Sequence, residues 1–147
     1  MSLQSIEWLD EAEVYTLIDD LREKYCDDPI NIISYNPIGY VCRLDAIANF
    51  YDDDILKLAA VVCRSIIQGH PLQDGNKRFG MYLATYFLGL NNILVSADNE
   101  NYVDIALRTA KSEADIEAVY LWFCQNTIER TENEGNAKGK DKAYRRF

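Results

Sequence analysis

The chain carries a single histidine, and that scarcity narrows its chemistry from the start. One imidazole cannot supply a zinc site built on several histidines, and Cys26, Cys42, Cys63 and Cys124 show no C-x-x-C spacing. Reduced, partly buried thiols in a cytosolic protein are expected instead. No stretch approaches the roughly 18–20 apolar residues of a membrane span. The opening MSLQSIEWLDEAEVY has neither a basic start nor an apolar core, so no signal peptide is expected and the localisation reads as cytoplasmic. Internal repeats and a second domain are equally lacking.

What is present fits one soluble domain. The chain has 147 residues and 16.9 kDa, enough to bury roughly two-thirds of its unfolded surface. Hydrophobic residues make up 48% and charged residues 27%, an ordinary balance for a globular protein. The net charge of −9 is unevenly spread. Residues 131–147 hold Lys138, Lys140, Lys142, Arg145 and Arg146 against Glu132, Glu134 and Asp141. The preceding 130 residues therefore carry 10 basic and 21 acidic side chains, a balance of −11. Such a body repels nucleic acid, whose binding rests largely on neutralising phosphates. The Gly-, Asn- and Lys-rich tail reads as disordered, which sets a domain at 5–130 and a tail at 131–147.

Helical periodicity dominates that domain. Asp10 with Glu13 forms a capping-box pattern ahead of a stripe of Val14, Leu17, Ile18, Leu21 and Tyr25. Pro29, Asn31, Asn36, Pro37 and Gly39 then punctuate a short β-prone run, Ile30–Tyr35. A short helix is expected around Arg43–Tyr51. Asp52, Asp53 and Asp54 suit the start of the next helix, which buries Ile55, Leu58, Ala59, Val62 and Ile66 and is ended by Gly69. From Phe79 to Leu90 apolar residues appear on nearly every side, the mark of a central, buried helix. Asn91-Asn92 closes it. One further helix is expected near Tyr102–Lys111. A last one opens at Ser112 and Asp115, with Ile116, Val119, Tyr120, Phe123 and Thr127 inward.

Between the third helix and the buried one lies His70-Pro-Leu-Gln-Asp-Gly-Asn-Lys-Arg-Phe-Gly80. A helix starting at Asn76 offers free backbone N–H groups and a partial positive charge, so it is ready to hold an anion. Lys77 and Arg78 in its first turn oppose the helix dipole, which makes sense if a phosphate occupies the site. His70 can take a proton from an attacking hydroxyl, although an isolated histidine here would also serve to cap the preceding helix. Asp74 could place Mg²⁺ against phosphates, or simply form an Asp-Gly turn. Gly75 allows close approach of the backbone to a ligand, and Asn76 either caps the helix or bonds a phosphate oxygen.

This segment resembles the Fic/Doc motif, H-x-F-x-[D/E/N]-[A/G]-N-[G/K]-R. His70, Asp74, Gly75, Asn76, Lys77 and Arg78 fit it, and Leu72 replaces the Phe by another apolar anchor. The resemblance implies an all-α Fic/Doc-type bundle around a central buried helix, with a small β-hairpin flap over the site at Ile30–Tyr35. It further implies His70 as catalytic base, Asp74 as the Mg²⁺ ligand, and Gly75, Asn76, Lys77 and Arg78 around the phosphates of ATP. The acceptor would be a Ser, Thr or Tyr hydroxyl of a target protein. Two departures bear on the reaction. Lys77 stands where AMP-transferring members carry Gly, and Met81 where they carry a second Arg. The Asn-Lys-Arg form resembles the Doc branch, whose toxins transfer the terminal phosphate of ATP, while Gly75 is the Fic-like choice. Phosphoryl transfer by a Doc-like toxin is the expected reaction, with AMP transfer and an inert Fic-fold binding module as the alternatives. The segment Arg130–Asn136 comes near the family's inhibitory S/T-x-x-x-E-G/N pattern. Arg130 and Ile128 stand where Ser or Thr is required, so inhibition would come from a separate antitoxin-like partner.

Overall fold

The computed structural model describes residues 5–130; the expectation of a disordered tail at 131–147 lies outside the described residues. The elements run α1 (Glu11–Lys24), α2 (Asn36–Val41), two 3₁₀ turns (Leu44–Ala46 and Ala48–Tyr51), α3 (Ile55–Gly69), α4 (Asn76–Leu90), β1 (Ile93–Val95), α5 (Asn99–Ala110), α6 (Ile116–Gln125) and β2 (Thr127–Glu129). The architecture is helical, as the periodicity indicates.

Local chemistry places four of the helix starts. Asp10 and Glu13 form a reciprocal capping box on α1. Asp54, Asp98 and Asp115 accept backbone N–H bonds at the starts of α3, α5 and α6. Such caps contribute on the order of 1 kcal/mol each. Glu13 also reaches across the fold, accepting a bond of 2.5 Å from the Tyr86 hydroxyl of α4. Burial and this carboxylate together push the Tyr86 phenol up.

The core is one cluster, and its centre is shared. α4 buries Phe79 through Thr85, Phe87 and Leu88, as its all-round apolar pattern requires. α3 buries Leu58 through Cys63, Ile66 and Ile67, more than the single stripe expected of it. The two helices pack closely at Gly80, where an added Cβ would stand 2.5 Å from Ile67 Cγ1 and 3.0 Å from the Cys63 carbonyl oxygen. α3 further packs against α2, α5 and α6, and α4 against α1, α5 and β1.

Four expectations are corrected. Residues 36–41 form a helix because Pro37 sits at its first turn, where a missing N–H costs nothing. Only 3₁₀ turns follow over 44–51. The small sheet lies elsewhere than Ile30–Tyr35: it is the antiparallel pair β1–β2, with Ile93 opposite Glu129 and Val95 opposite Thr127. Its strands are far apart in sequence, so no local turn signal announces them. Thr127 thus belongs to β2, beyond the end of α6, with its hydroxyl donating back to the Phe123 carbonyl at 2.7 Å.

Candidate active site

The site is the six-residue connection from α3 to α4 and the first turn of α4. Gly69 is the last residue of α3, and Pro37 packs so close that its Cγ would stand 2.6 Å from an added Cβ. The left-handed conformation that ends the helix falls on His70, at φ 49°. A non-glycine residue there is strained by about 1–3 kcal/mol, and its backbone N–H still bonds the Ile66 carbonyl at 3.1 Å. The imidazole itself is exposed.

After His70 the chain turns inward. Leu72 is buried at 1% exposure, the anchor role expected for it. Its backbone is gripped by Asn76, whose Oδ1 accepts from the Leu72 N–H at 2.9 Å and whose Nδ2 donates to the Leu72 carbonyl at 2.8 Å. The same Nδ2 stands 3.5 Å from His70 Nδ1, a loose contact. Capping is therefore not the task of this side chain, which closes the loop that carries His70. Residues 30–34 brace the loop's outer edge. Ile33 and Ser34 donate to the Pro71 carbonyl at 2.7 and 3.2 Å, and Gln73 donates to the Asn31 carbonyl at 2.7 Å. Ile32 and Leu72 form an isolated antiparallel bridge. The β-prone run thus pairs with the motif itself instead of folding into a hairpin.

Gly75 is the N-cap of α4, with φ 87°, a backbone that L side chains rarely adopt. Its N–H is taken by Asp74 Oδ1 at 2.8 Å, so a phosphate approaching that amide must compete with a carboxylate. Its carbonyl accepts the Phe79 N–H at 2.9 Å. No side chain caps this helix, in contrast to α1, α3, α5 and α6. The N–H groups of Asn76, Lys77 and Arg78 precede the first intrahelical donor, which leaves an electropositive end on a buried helix. Lys77 and Asp74 are exposed beside it.

Arg78 is more engaged than the sequence indicates. Its Nη1 donates to Asp28 Oδ2 at 2.9 Å, and its guanidinium lies 4.2 Å from the centroid of the Tyr25 ring. Burial raises the Tyr25 phenol, while the Arg78 charge pulls against that shift. Both partners sit just past α1, some 50 residues away, where no local pattern ties them to the motif.

Among the described residues no group of three or more His, Cys, Asp or Glu side chains could hold a metal alone. Mg²⁺ needs less, since one or two carboxylates plus nucleotide oxygens and water complete its shell. The single exposed carboxylate of Asp74, next to the helix start, fits that demand.

No curated protein matches the chain at a significant level. A family model described as Fic/DOC family matches residues 8–88, more than half of the 147 residues and the whole of the 70–80 segment. With the motif set at the start of its buried helix, the chain belongs to the Fic/DOC family.

Proposed function

We propose that the protein transfers the terminal phosphate of ATP to a Ser, Thr or Tyr hydroxyl of a target protein, as a Doc-like toxin. The observation that carries this reading is the uncapped N-terminus of α4, with Lys77 and Arg78 in its first turn. Four other helices of the domain are capped by aspartate, so an anion from outside is the natural complement here. His70 takes the proton of the target hydroxyl as its oxygen bonds the γ-phosphorus. The bond from that phosphorus to the bridging oxygen breaks, and ADP leaves with the electron pair. Arg78, Lys77 and the backbone amides of Asn76, Lys77 and Arg78 hold the phosphates, with Asp74 as the residue that would hold Mg²⁺; the ion, when bound, offsets phosphate charge. Exposed Ile33, in the segment that braces the His70 loop, and exposed Tyr35, at the start of α2, offer apolar ground for a target segment. An antitoxin-like partner would supply inhibition. Acidic charge speaks against nucleic acid as a partner, and no described helix is long and apolar enough to cross a membrane.

AMP transfer is the second reading, favoured by Gly75. The positive φ there suits the glycine of AMP-transferring members better than the alanine usual in the Doc branch. Against it, the Lys77 side chain stands beside the phosphates, and Met81, fully buried, supplies no guanidinium. Incubation in cell lysate with ATP labelled at the α or the γ position separates the readings. Protein labelled only from the γ position is expected; label from the α position establishes AMP transfer, and no label from either leaves an inert module.

A further inference from the structure

An arginine in the first turn of a helix has a flexible stem and many rotamers, and it holds a phosphate well only when its planar fork is already in place. Arg78 is held on two sides. The Tyr25 ring covers one face at 4.2 Å, and Asp28 Oδ2 takes a hydrogen of Nη1 at 2.9 Å. The two side chains of that ion pair remain 32% and 33% exposed, so the rest of the guanidinium edge can meet a ligand.

The segment supplying both contacts is itself well tied. Tyr25 is the C-cap of α1, with its N–H on the Leu21 carbonyl at 2.9 Å. Asp28 donates its N–H to the Tyr25 carbonyl at 3.0 Å, and Arg22 Nε donates to the Ile30 carbonyl at 2.7 Å. The same chain then continues into residues 31–34, which bond the loop carrying His70. One strap therefore touches both the candidate phosphate ligand and the loop that carries the candidate base.

We propose that Tyr25 and Asp28 are positioning residues that fix the Arg78 guanidinium for phosphate, and that residues 25–34 set its place relative to His70. The inference rests on the reading of Arg78 as a ligand of ATP. The Tyr25 hydroxyl is buried without a partner, so the ring alone carries the role.

The test is calorimetric titration with Mg²⁺ and ATP of the full chain and of Arg78→Ala, Tyr25→Leu, Tyr25→Phe, Asp28→Ala, and the pairs Tyr25→Leu/Arg78→Ala and Asp28→Ala/Arg78→Ala. Arg78→Ala is expected to weaken binding more than about tenfold. Tyr25→Leu and Asp28→Ala should each weaken it about three- to tenfold, the size of a lost ring or charge contact. Tyr25→Phe keeps the ring and should stay within about twofold of wild type. In the Arg78→Ala background both losses should shrink to within about twofold, because residues acting through one side chain are not additive. A general weakening of the fold would persist in that background. Wild-type affinity in Arg78→Ala overturns the ATP-ligand reading itself. A weakened Arg78→Ala beside an unchanged or tighter Tyr25→Leu or Asp28→Ala, or losses that persist in full without Arg78, overturns the positioning role alone.

Discussion

Removing the Asn76 side chain tests how the His70 loop is held. Asn76→Ala deletes two hydrogen bonds at once, the 2.9 Å bond from the Leu72 N–H and the 2.8 Å bond to the Leu72 carbonyl. Each is worth about 0.5–1.5 kcal/mol net, and leaving part-buried backbone groups unpaired brings the loss to about 2–4 kcal/mol. Alanine's better helix propensity returns only about 0.5 kcal/mol. Against a total stability of about 5–15 kcal/mol the domain still folds, with a melting temperature lowered by about 5–14 °C at this length. Transfer should fall further than stability. The loop is then free to shift by an ångström or so, and such misplacement costs about 10²-fold. Asn76→Asp is the sharper variant. One carboxylate oxygen still accepts the Leu72 N–H, while the other faces the Leu72 carbonyl, so attraction becomes repulsion at nearly unchanged volume. Scanning calorimetry with the γ-label transfer assay reads both effects. If Asn76→Ala melts within about 2 °C of wild type, the two bonds do not hold the loop and the reasoning fails.

His70→Ala should lower transfer by about 10²–10⁴-fold with little change in melting, because the imidazole is exposed. His70→Asn, better suited to the left-handed backbone, should melt with the wild type yet be equally inactive; residual transfer within about tenfold of wild type removes His70 as the base. Gly80→Ala gains about 1 kcal/mol of helix propensity but meets Ile67 and the Cys63 carbonyl. Overpacking of about 1–3 kcal/mol should therefore prevail, and a higher urea midpoint would contradict the close approach of α3 and α4. Complete burial raises the Cys63 thiol from 9.0 to about 12. The unfolded thiol ionises first, so this group's stabilisation is full below pH 9.0 and is lost as pH rises toward 12. At pH 10 the loss is about 1.4 kcal/mol, and urea melts at pH 8 and 10 should show Cys63→Ala losing less than wild type.

The sequence alone determined where most helices lie and which one is buried. Those signals are local: an aspartate ahead of an apolar stripe caps a helix, and apolar residues on every side of Phe79–Leu90 leave no face for water. The 70–80 segment was equally legible, because the base, the carboxylate and the cationic helix start are near neighbours in the chain. Tertiary structure decided the rest. Pro37 packs against Gly69 from a separate helix, and the left-handed end of α3 falls on His70, not on the glycine. Residues 30–34 find their partner in Pro71–Gln73 instead of in a hairpin, and β1 waits for β2 from the far side of α5 and α6. Arg78 shows the division most clearly. Its charge could be placed at the helix start from sequence, but Tyr25 and Asp28 meet it only when α1 docks beside α4. Pairings between distant segments leave no periodic trace, since each side chain would look ordinary in its own stretch until packing brings the two together.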